Sequence, residues 1–334
     1  MRFAVTKVCA SGAKARAGLL QIGSSGVETP ALLLSTRKGL PAFMSPDLLS
    51  SLPLPDSLLL NVCPTHFIEV PPSKTISNIG GLHRMLGLPD HILVAAAGES
   101  TECLPSSDAT NKFGASFETP AGRKLVKPSD YMELISCLQP NLWASLADEV
   151  PAWVNEKRNK TSVERTLRWL DACIALDAAS GRNSLGVVVG GSSIEQRKLC
   201  ATEVSKRNVS GFWIGGFGLG ESVEERCSLL NAVTDCLPLG KPRIVSRLGL
   251  PEEVLEGVVD GCTCFTCQNH TRAYLNHLIN VHEMLAQILL EIHNTHHYLR
   301  FFRSIREAIK AGEFDIFWKQ FVENRRSQIA AAAM

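Results

Sequence analysis

The sequence predicts an α/β fold with a parallel sheet, and two observations support this prediction. From residue 141 to residue 247, short apolar stretches rich in Val, Leu and Ile alternate with segments of helical periodicity, a pattern typical of parallel strands joined by right-handed crossovers. Glycine pairs follow two of the predicted strands, and no Gly-x-Gly-x-x-Gly motif follows the first one. These features favour a TIM-type (β/α)8 barrel over a doubly wound sheet, with functional loops at the carboxyl ends of the strands.

The predicted elements fall into three groups along the chain. An N-terminal region of short, antiparallel strands precedes the alternating region, and an amphipathic helical region follows it. Strands are predicted at 3–8, 18–22, 31–35, 58–62, 91–97, 141–147, 185–189, 211–214 and 243–247. Helices are predicted at 162–179, 194–208, 221–236, 252–257, 271–297, 299–309 and 314–321. Ser162 or Thr161 is expected to cap the first of these helices.

Composition narrows the class of protein. The chain has 334 residues, is 45% hydrophobic and carries a formal net charge of +1, so a nucleic-acid partner would have to contact a local basic patch rather than a global positive field. Eight of the 11 cysteines are scattered singly, which suits a reducing compartment and predicts a cytoplasmic location. No apolar run approaches the roughly 20 residues that a membrane-spanning helix needs.

The most specific motif is a cluster of three cysteines, Cys262, Cys264 and Cys267, within six consecutive residues. Three thiolates together with an imidazole make a tetrahedral zinc site. Four protein ligands close the coordination shell, which predicts one structural zinc ion rather than a catalytic metal.

Several histidines compete for the fourth ligand position. His293 and the second choice, His282, lie near one apolar stripe of the predicted helix 271–297. His270 follows Cys267 too closely to reach round easily. The remaining candidates are His277, His296 and His297, of which His277 and His297 are expected to face solvent.

The residues around this cluster resemble the zinc subdomain of the tRNA-guanine transglycosylases, and the spacing of His293 fits the fourth ligand of that family. The resemblance extends to Asp148-Glu149, to the helix segment 164–169 and to the glycine-containing stretches 186–190 and 214–217. It implies a barrel with an inserted zinc site. Such enzymes exchange a guanine base at the wobble position of tRNA for a modified base, which is queuine in eukaryotes.

Two departures from the family pattern concern the base site. The catalysts carry an aspartate on an early strand, whereas the matching stretch here has Ala95, which offers no group for acid–base chemistry. The glutamine that contacts the base is replaced by Val189, which cannot satisfy the exocyclic groups of a purine. Asp148 aligns with a base-binding aspartate and is the remaining carboxylate.

A third departure is a gap. After residue 257 the family has a strand carrying the aspartate nucleophile and several dozen further residues, whereas here residues 258–260 lead directly into the cysteines. Asp260 is read as a turn residue. The barrel is therefore expected to be incomplete. The predicted division is a barrel at 1–257, a zinc-binding helical subdomain at 258–327 and a frayed tail at 328–334.

These features predict a non-catalytic subunit with no catalytic residue of its own. As the resemblance implies, it would pair with a catalytic queuine tRNA-ribosyltransferase subunit, help to bind tRNAs with GUN anticodons, and possess no integral membrane segment. The same resemblance implies a peripheral location at the mitochondrial outer membrane through the complex. Two alternatives are an active base-exchange enzyme that uses Asp148 or Asp260, and a zinc-stabilised RNA- or protein-interaction module.

Basic residues in two segments are candidates for contact with tRNA phosphates. Each set recurs at helical spacing or lies beside a predicted helix, and a solvated surface is the simpler alternative. The first set is Lys157, Arg158, Lys160, Arg165 and Arg168, and the second is Arg300, Arg303, Arg306, Lys310, Lys319, Arg325 and Arg326.

Overall fold

The computed structural model describes residues 1–9, 14–68, 71–98, 103–120, 122–178, 180–247 and 262–332, with side chains described up to residue 324. The predicted helix 252–257, Asp260, and the side chains of Arg325 and Arg326 lie outside this described part. The chain forms two compact units. The first comprises residues 1–32, 48–58 and 254–334, and the second comprises residues 33–47 and 59–253.

The strands, in chain order, are β1 (Arg2–Val8), β2 (Arg16–Ile22), β3 (Ser25–Thr29), β4 (Leu34–Ser35), β5 (Leu59–Val62), β6 (Ile92–Ala95), β7 (Leu104–Pro105), β8 (Ala115–Thr119), β9 (Gly122–Val126), β10 (Leu142–Ala144), β11 (Asn183–Val188), β12 (Gly211–Ile214) and β13 (Arg243–Val245).

The helices are α1 (Pro46–Leu49), α2 (Ser73–Ile79), α3 (Leu82–Leu86), α4 (Pro128–Leu138), α5 (Glu156–Asp177), α6 (Ile194–Ser205), α7 (Val223–Cys236), α8 (Phe265–Asn269), α9 (Arg272–Asn280), α10 (Met284–Ala311) and α11 (Phe314–Ala332), with a 3-10 helix at Pro64–Phe67.

The second unit is built on a parallel sheet whose strand order is β13-β12-β11-β10-β6-β5-β4. Because this order follows the sequence in one direction, the sheet winds as a barrel does and has no reversal point of the kind found in doubly wound sheets. Seven strands are present among the described residues, one fewer than the eight of a closed barrel. The predicted α/β barrel type, incomplete here, is confirmed.

Several regions of the second unit differ from the sequence prediction. No strand was predicted between residues 98 and 140, where an antiparallel sheet of β7, β8 and β9 lies. No helix was predicted before residue 162, where α2, α3 and α4 lie. Helix α5 begins at Glu156, not at residue 162, because the Asn155 side chain caps it by accepting a hydrogen bond from the Arg158 backbone N–H at 2.9 Å. The prediction that Ser162 or Thr161 is the cap is wrong. Ser162 is instead buried and donates to the Asp148 carbonyl at 2.7 Å.

The first unit combines an antiparallel sheet of β1, β2 and β3 with helices α8 to α11. The predicted helix 271–297 is wrong as a single element, because the chain breaks between α9 and α10, where His282 has a φ of 58°. The two helices pack through Leu275, Leu278, Ala286 and Leu289. Helix α10 then continues to Ala311 and absorbs the helix predicted separately at 299–309.

Ion pairs, of which the one between Arg306 and Asp56 is buried, fix the second half of α10 within the first unit. The Arg306 guanidinium contacts Asp56 Oδ1 at 2.5 Å and donates to the Pro30 carbonyl at 3.0 Å. Arg303 donates to Asp56 Oδ2 at 2.7 Å, and Lys310 pairs with Glu28 at 2.9 Å. All three cations pair within this unit, but only Arg306 is buried and so removed from the basic surface that the sequence predicted; Arg303 remains exposed.

Candidate functional site

The cysteine cluster of the first unit is shaped by the start of α8. Cys264 is the N-cap residue, and its sulfur accepts a hydrogen bond from the Cys267 backbone N–H at 3.3 Å. The Cys264 backbone N–H lies 3.5 Å from the Cys262 sulfur in turn. The amide proton directed at the Cys264 sulfur stabilises its thiolate and so opposes the effect of burial on its pKa.

His293, on α10, completes the cluster. Its Nδ1 atom lies 4.0 Å from the sulfur of Cys262, 3.4 Å from that of Cys264 and 3.1 Å from that of Cys267. A tetrahedron with Zn–S bonds of about 2.3 Å and Zn–N bonds of about 2.0 Å has S···N edges of roughly 3.6 Å. The spacing of the four ligand atoms therefore fits a zinc ion.

Two further observations fit a structural metal site. Thr266, between Cys264 and Cys267, donates from Oγ1 to the Leu289 carbonyl at 2.7 Å, which ties the loop to the turn of α10 that precedes His293. Burial raises the pKa of Cys264, and it raises that of Cys267 to about 12. Buried thiols of this kind become thiolates when a divalent cation binds them, so the donor set suits zinc chemically as well as geometrically.

The other candidate histidines do not join the four ligand atoms of this cluster. His282 is exposed at the break between α9 and α10, and His277 is exposed on α9. His296 is buried on α10. His297 is half-buried, with its ring 4.4 Å from that of His293, so the expectation that it faces solvent is wrong.

The second chemically distinctive region is the carboxyl edge of the parallel sheet, where Asp148 follows β10. Its side chain is fully buried and paired with two cations of α5. Arg158 makes a bidentate contact with the two oxygens at 2.7 and 2.8 Å, and Arg165 contacts Oδ2 at 3.0 Å. Both oxygens are thus engaged within the protein, and bidentate guanidinium pairs are among the strongest such contacts.

Glu149 is held by the glycine turn after β12. The Gly216 backbone N–H donates to Glu149 Oε1 at 3.1 Å. A Cβ atom at Gly215 would lie 2.6 Å from that oxygen, and Gly216 has a φ of 67°, so the turn needs both glycines. Arg247, after β13, lies 3.6 Å from Glu149 Oε2 and donates to the Gly98 carbonyl at 2.5 Å.

A small pocket opens at this edge of the sheet. Its wall is largely apolar and includes alanines that follow β6 and side chains from β11 and β12. The lining residues are Ala96, Ala97, Pro105, Phe117, Ala144, Ser145, Ala147, Glu149, Val187 and Trp213. Ala95 and Val189, which stand where the resemblance expects an aspartate and a glutamine, are both buried.

Sequence reasoning missed Arg197, which organises the same edge. This fully buried residue of α6 donates to the carbonyls of Gly191 at 2.7 Å, Gly215 at 3.1 Å and Gly216 at 2.9 Å. Its guanidinium also lies 4.1 Å from the Phe217 ring centroid, and burial lowers its pKa to about 10. The signal available in the sequence was an arginine beside recurrent Gly-Gly turns, whose carbonyls need donors.

The first predicted basic patch divides into two sets. Arg158 and Arg165 point inward to Asp148, as described above. Lys157, Lys160 and Arg168 are exposed and lie on one face of α5. Within this first patch, only Lys157, Lys160 and Arg168 remain candidates for contact with phosphates.

Comparison with known proteins bears directly on this arrangement. The sequence matches the family described as queuine tRNA-ribosyltransferase over residues 9–261 and again over residues 258–327. The chain belongs to this family.

Relatives within the queuine tRNA-ribosyltransferase family include proteins of both eukaryotes and bacteria. The chain is 31% identical to the queuine tRNA-ribosyltransferase accessory subunit 2 of Trichoplax adhaerens, with 96% of this chain and 98% of the relative covered. It is 30% identical to the accessory subunit 2 of Xenopus tropicalis, covering 94% and 97%. It is 27% identical to the queuine tRNA-ribosyltransferase of Acidithiobacillus ferrooxidans, covering 97% and 98%.

The two family matches meet at residues 258–261, at the gap that the sequence predicts. The alignment with the Trichoplax relative spans 373 positions, more than the 334 residues of this chain. The relative therefore contains residues that have no counterpart here. Among the residues that the structure describes, no helix is both long and apolar enough to cross a membrane.

Proposed function

We propose that this chain is the non-catalytic subunit of a heterodimeric queuine tRNA-ribosyltransferase. In that complex a catalytic partner would exchange guanine for queuine at the wobble position of tRNAs with GUN anticodons, and this chain would support dimerisation and tRNA binding. The names of the Trichoplax and Xenopus relatives support the accessory role. The observation that carries the proposal is the state of Asp148.

A carboxylate that binds a purine must offer an oxygen to the ring or exocyclic N–H groups. In Asp148 both oxygens already accept from Arg158 and Arg165. The Asp148 side chain has no exposed surface, so a base could reach it only by displacing one of these buried charge pairs, and removing one partner of a buried pair typically costs about 3–5 kcal/mol. Asp148 therefore acts as the anchor of α5 rather than as a base-binding or nucleophilic group.

The two other positions at which the family resemblance expects base-site residues support the same conclusion. Ala95 and Val189 are both almost completely buried, and neither has a polar side-chain atom. An unpaired polar group costs roughly 1–3 kcal/mol when it is buried without a partner, so a purine facing these side chains would bind poorly. The sequence also predicts loss of the segment that carries the nucleophile, which is consistent with the two-part family match. Without that segment the chain would lack the nucleophile that base exchange requires.

We assign Cys262, Cys264, Cys267 and His293 as the ligands of one structural zinc ion. These residues would hold the ion, and the metal would supply the cross-link that a short loop and a long helix cannot form by apolar packing alone. Their role is to fix α8 against α10.

The dimer surface is proposed to lie around this zinc site. Phe265 is 42% exposed, Ile279 49%, Val281 49% and Met284 66%. These large, exposed apolar side chains lie on α8, at the end of α9 and at the start of α10, and we propose that a protein partner covers them. We refer to these four residues as the zinc-side patch.

Binding of tRNA is assigned to Lys157, Lys160 and Arg168 on the exposed face of α5. Each lysine or arginine that contacts a phosphate releases condensed counterions. The binding constant for tRNA should therefore fall by about one logarithmic unit per contact for each tenfold increase in salt concentration. We propose a cytoplasmic location, with association to the mitochondrial outer membrane only through the complex.

Co-expression tests the proposal. A tagged form of this chain is expressed with a catalytic family member, and the purified product is assayed for incorporation of labelled guanine into tRNA. The proposal expects a stable one-to-one complex and more exchange by the pair than by either chain alone. Recovery of the two chains as separate species, with this chain well folded, would refute it.

The active-enzyme alternative draws its support from the bacterial relative at 27% identity. It requires Asp148 to leave its two arginines. Exchange by this chain in isolation, abolished by Asp148→Asn, would establish that alternative and overturn the accessory role.

A further inference from the structure

A second cluster of cysteine and histidine side chains lies in the second unit, and the proposed function does not use it. Cys63 directly follows β5, His66 lies in the 3-10 helix after it, and Cys103 immediately precedes β7. The two cysteine sulfurs and one ring nitrogen of His66 all lie within 4.8 Å of one another, and all three residues are buried. Such a cluster serves either as a metal site or as a dithiol pair.

The hydrogen bond to His66 distinguishes these two uses. The Lys38 backbone N–H lies 3.3 Å from His66 Nδ1. Because an amide can only donate, Nδ1 must carry the lone pair and the neutral ring carries its proton on Nε2. A metal-bound histidine needs the opposite arrangement, in which the nitrogen away from the metal donates its proton to an acceptor. His66 is therefore set to donate to a sulfur rather than to coordinate a cation.

The pKa values of the two thiols shift in opposite directions. Hydrogen bonds to Cys103 from Cys63, His66 and Thr65 lower its pKa to about 4 against the opposing effect of burial. The hydrogen bond to Cys103 and burial raise the pKa of Cys63, whose sulfur also lies 2.9 Å from Thr65 Oγ1. One thiolate beside one thiol is the pairing from which disulfides form.

We propose that Cys63 and Cys103 form a reversible disulfide, with hydrogen peroxide as the oxidant. The Cys103 thiolate attacks one peroxide oxygen, the O–O bond breaks, and the leaving hydroxide takes a proton from solvent to become water. The product is a sulfenic acid at Cys103. The Cys63 sulfur then attacks the Cys103 sulfur, the S–O bond breaks, and the departing hydroxide takes the Cys63 proton to form a second water. Two electrons pass from the sulfur pair to the peroxide.

A small oxidant is required because Cys63 and Cys103 are each only 1% exposed. Reduction is subject to the same limit on size: two molecules of a small monothiol restore the thiols, the first by forming a mixed disulfide and the second by releasing it as the oxidised dimer.

The position of the disulfide gives it a structural consequence. Pro105, two residues after Cys103, lines the pocket at the carboxyl edge of the sheet together with Ala96 and Ala97. The cross-link would tie the segment carrying Pro105 to the end of β5. It would also close a long loop that contains β6, and closing a long loop raises stability by restricting the unfolded chain. The oxidised chain should therefore melt at a higher temperature than the reduced chain.

Peptide mapping tests this proposal on the full-length purified chain. The protein is treated with hydrogen peroxide, alkylated under denaturing conditions and digested, and the peptides are identified by mass spectrometry. The proposal expects a Cys63 peptide joined to a Cys103 peptide, a link that dithiothreitol reverses. In Cys63→Ala, dimedone should label Cys103 as a trapped sulfenic acid, whereas Cys137→Ser should leave the cross-link unchanged.

Cys173 provides an internal reference, because burial raises its pKa to about 12 and its peptide should remain unmodified. Full alkylation of both Cys63 and Cys103 after peroxide treatment would overturn the proposal. Zinc content measured on the same sample is the second readout. Loss of a bound metal ion in Cys103→Ser, with the ion retained in Cys137→Ser, would identify the cluster as a metal site. That result would also overturn the disulfide proposal.

Discussion

Two regions of this molecule carry side chains that resemble functional groups, and they differ in what those side chains face. In the first unit, the sulfurs of Cys262, Cys264 and Cys267 converge on Nδ1 of His293 at distances that fit a zinc ion. In the second unit, Asp148 stands where the family resemblance expects a base-binding carboxylate, but both of its oxygens pair with Arg158 and Arg165. Retention of a residue type therefore indicates a retained function only when its ligand atoms remain available.

The largest effect is expected from removal of the fourth ligand. In His293→Ala the zinc ion should be lost, and α8 and α9 should lose their ordered structure, because zinc contributes about 10–16 kcal/mol of apparent binding energy in small zinc modules. Metal content by mass spectrometry and helical content by circular dichroism measure this. His277→Ala, at an exposed position on α9, is the control and should keep both. Retention of zinc by His293→Ala would remove this residue from the ligand set.

The second prediction concerns the opposite region. Asp148→Ala should lower the free energy of unfolding by about 3–5 kcal/mol, because two arginines would remain without their buried partner. Urea unfolding measures the change. Asp171→Ala is the matched control, since its side chain is 55% exposed in its pair with Arg207 and its loss should cost less than about 1 kcal/mol.

Asp148→Ala should not reduce exchange by the pair once folding is allowed for. The contrary result is equal, small losses of stability in Asp148→Ala and Asp171→Ala, with exchange abolished only by Asp148→Ala. That result would make Asp148 a functional group rather than an anchor of α5.

A third prediction separates the metal from the surface around it. Met284→Glu should weaken pairing with the catalytic subunit at least about tenfold, roughly 1.4 kcal/mol, because a charge would be buried in the zinc-side patch. Zinc content should be unchanged, and an acidic residue at the start of α10 suits the helix dipole. Analytical ultracentrifugation measures pairing, with Thr202→Glu on the exposed face of α6 as the charge-matched control. Unaltered affinity would place the partner elsewhere.

The smallest effect is expected from a hydrogen bond that supports the zinc loop. Thr266→Val removes the contact with the Leu289 carbonyl, and its loss should cost about 1 kcal/mol and speed zinc release to a chelator several-fold. Thr263→Val, at an exposed position in the same loop, should release zinc at the rate of the unmodified chain. Identical release rates for all three proteins would show that this bond does not orient the cluster.

The sequence predicted the parallel strands well because their signal is local. Runs such as residues 185–188 and 211–214 are apolar throughout, as strands covered on both faces must be. The convergence of the cysteines with His293 was also predictable, since a dense motif and one apolar helical stripe restrict the choice.

Other features depend on tertiary context and could not be predicted in this way. The break between α9 and α10 contains neither glycine nor proline; His282 adopts a positive φ there, which non-glycine residues seldom do. The start of α5 was missed because its first turn, Glu156 to Asn159, is polar and shows no apolar stripe. Arg158 and Arg165 are separated by about two helical turns and so share a face, but nothing local indicated that this face would meet Asp148.

Guanine exchange by this chain alone tests the proposed non-catalytic role most directly. The chain is assayed at stoichiometric concentration with labelled guanine and cognate tRNA, and the pair is assayed in the same way. A non-catalytic subunit requires exchange by the pair and none by the isolated chain, with zinc bound in both preparations. Exchange by the isolated chain would contradict that role, because a side chain in the described sheet or in the segment around residue 260 would then have to act as the nucleophile.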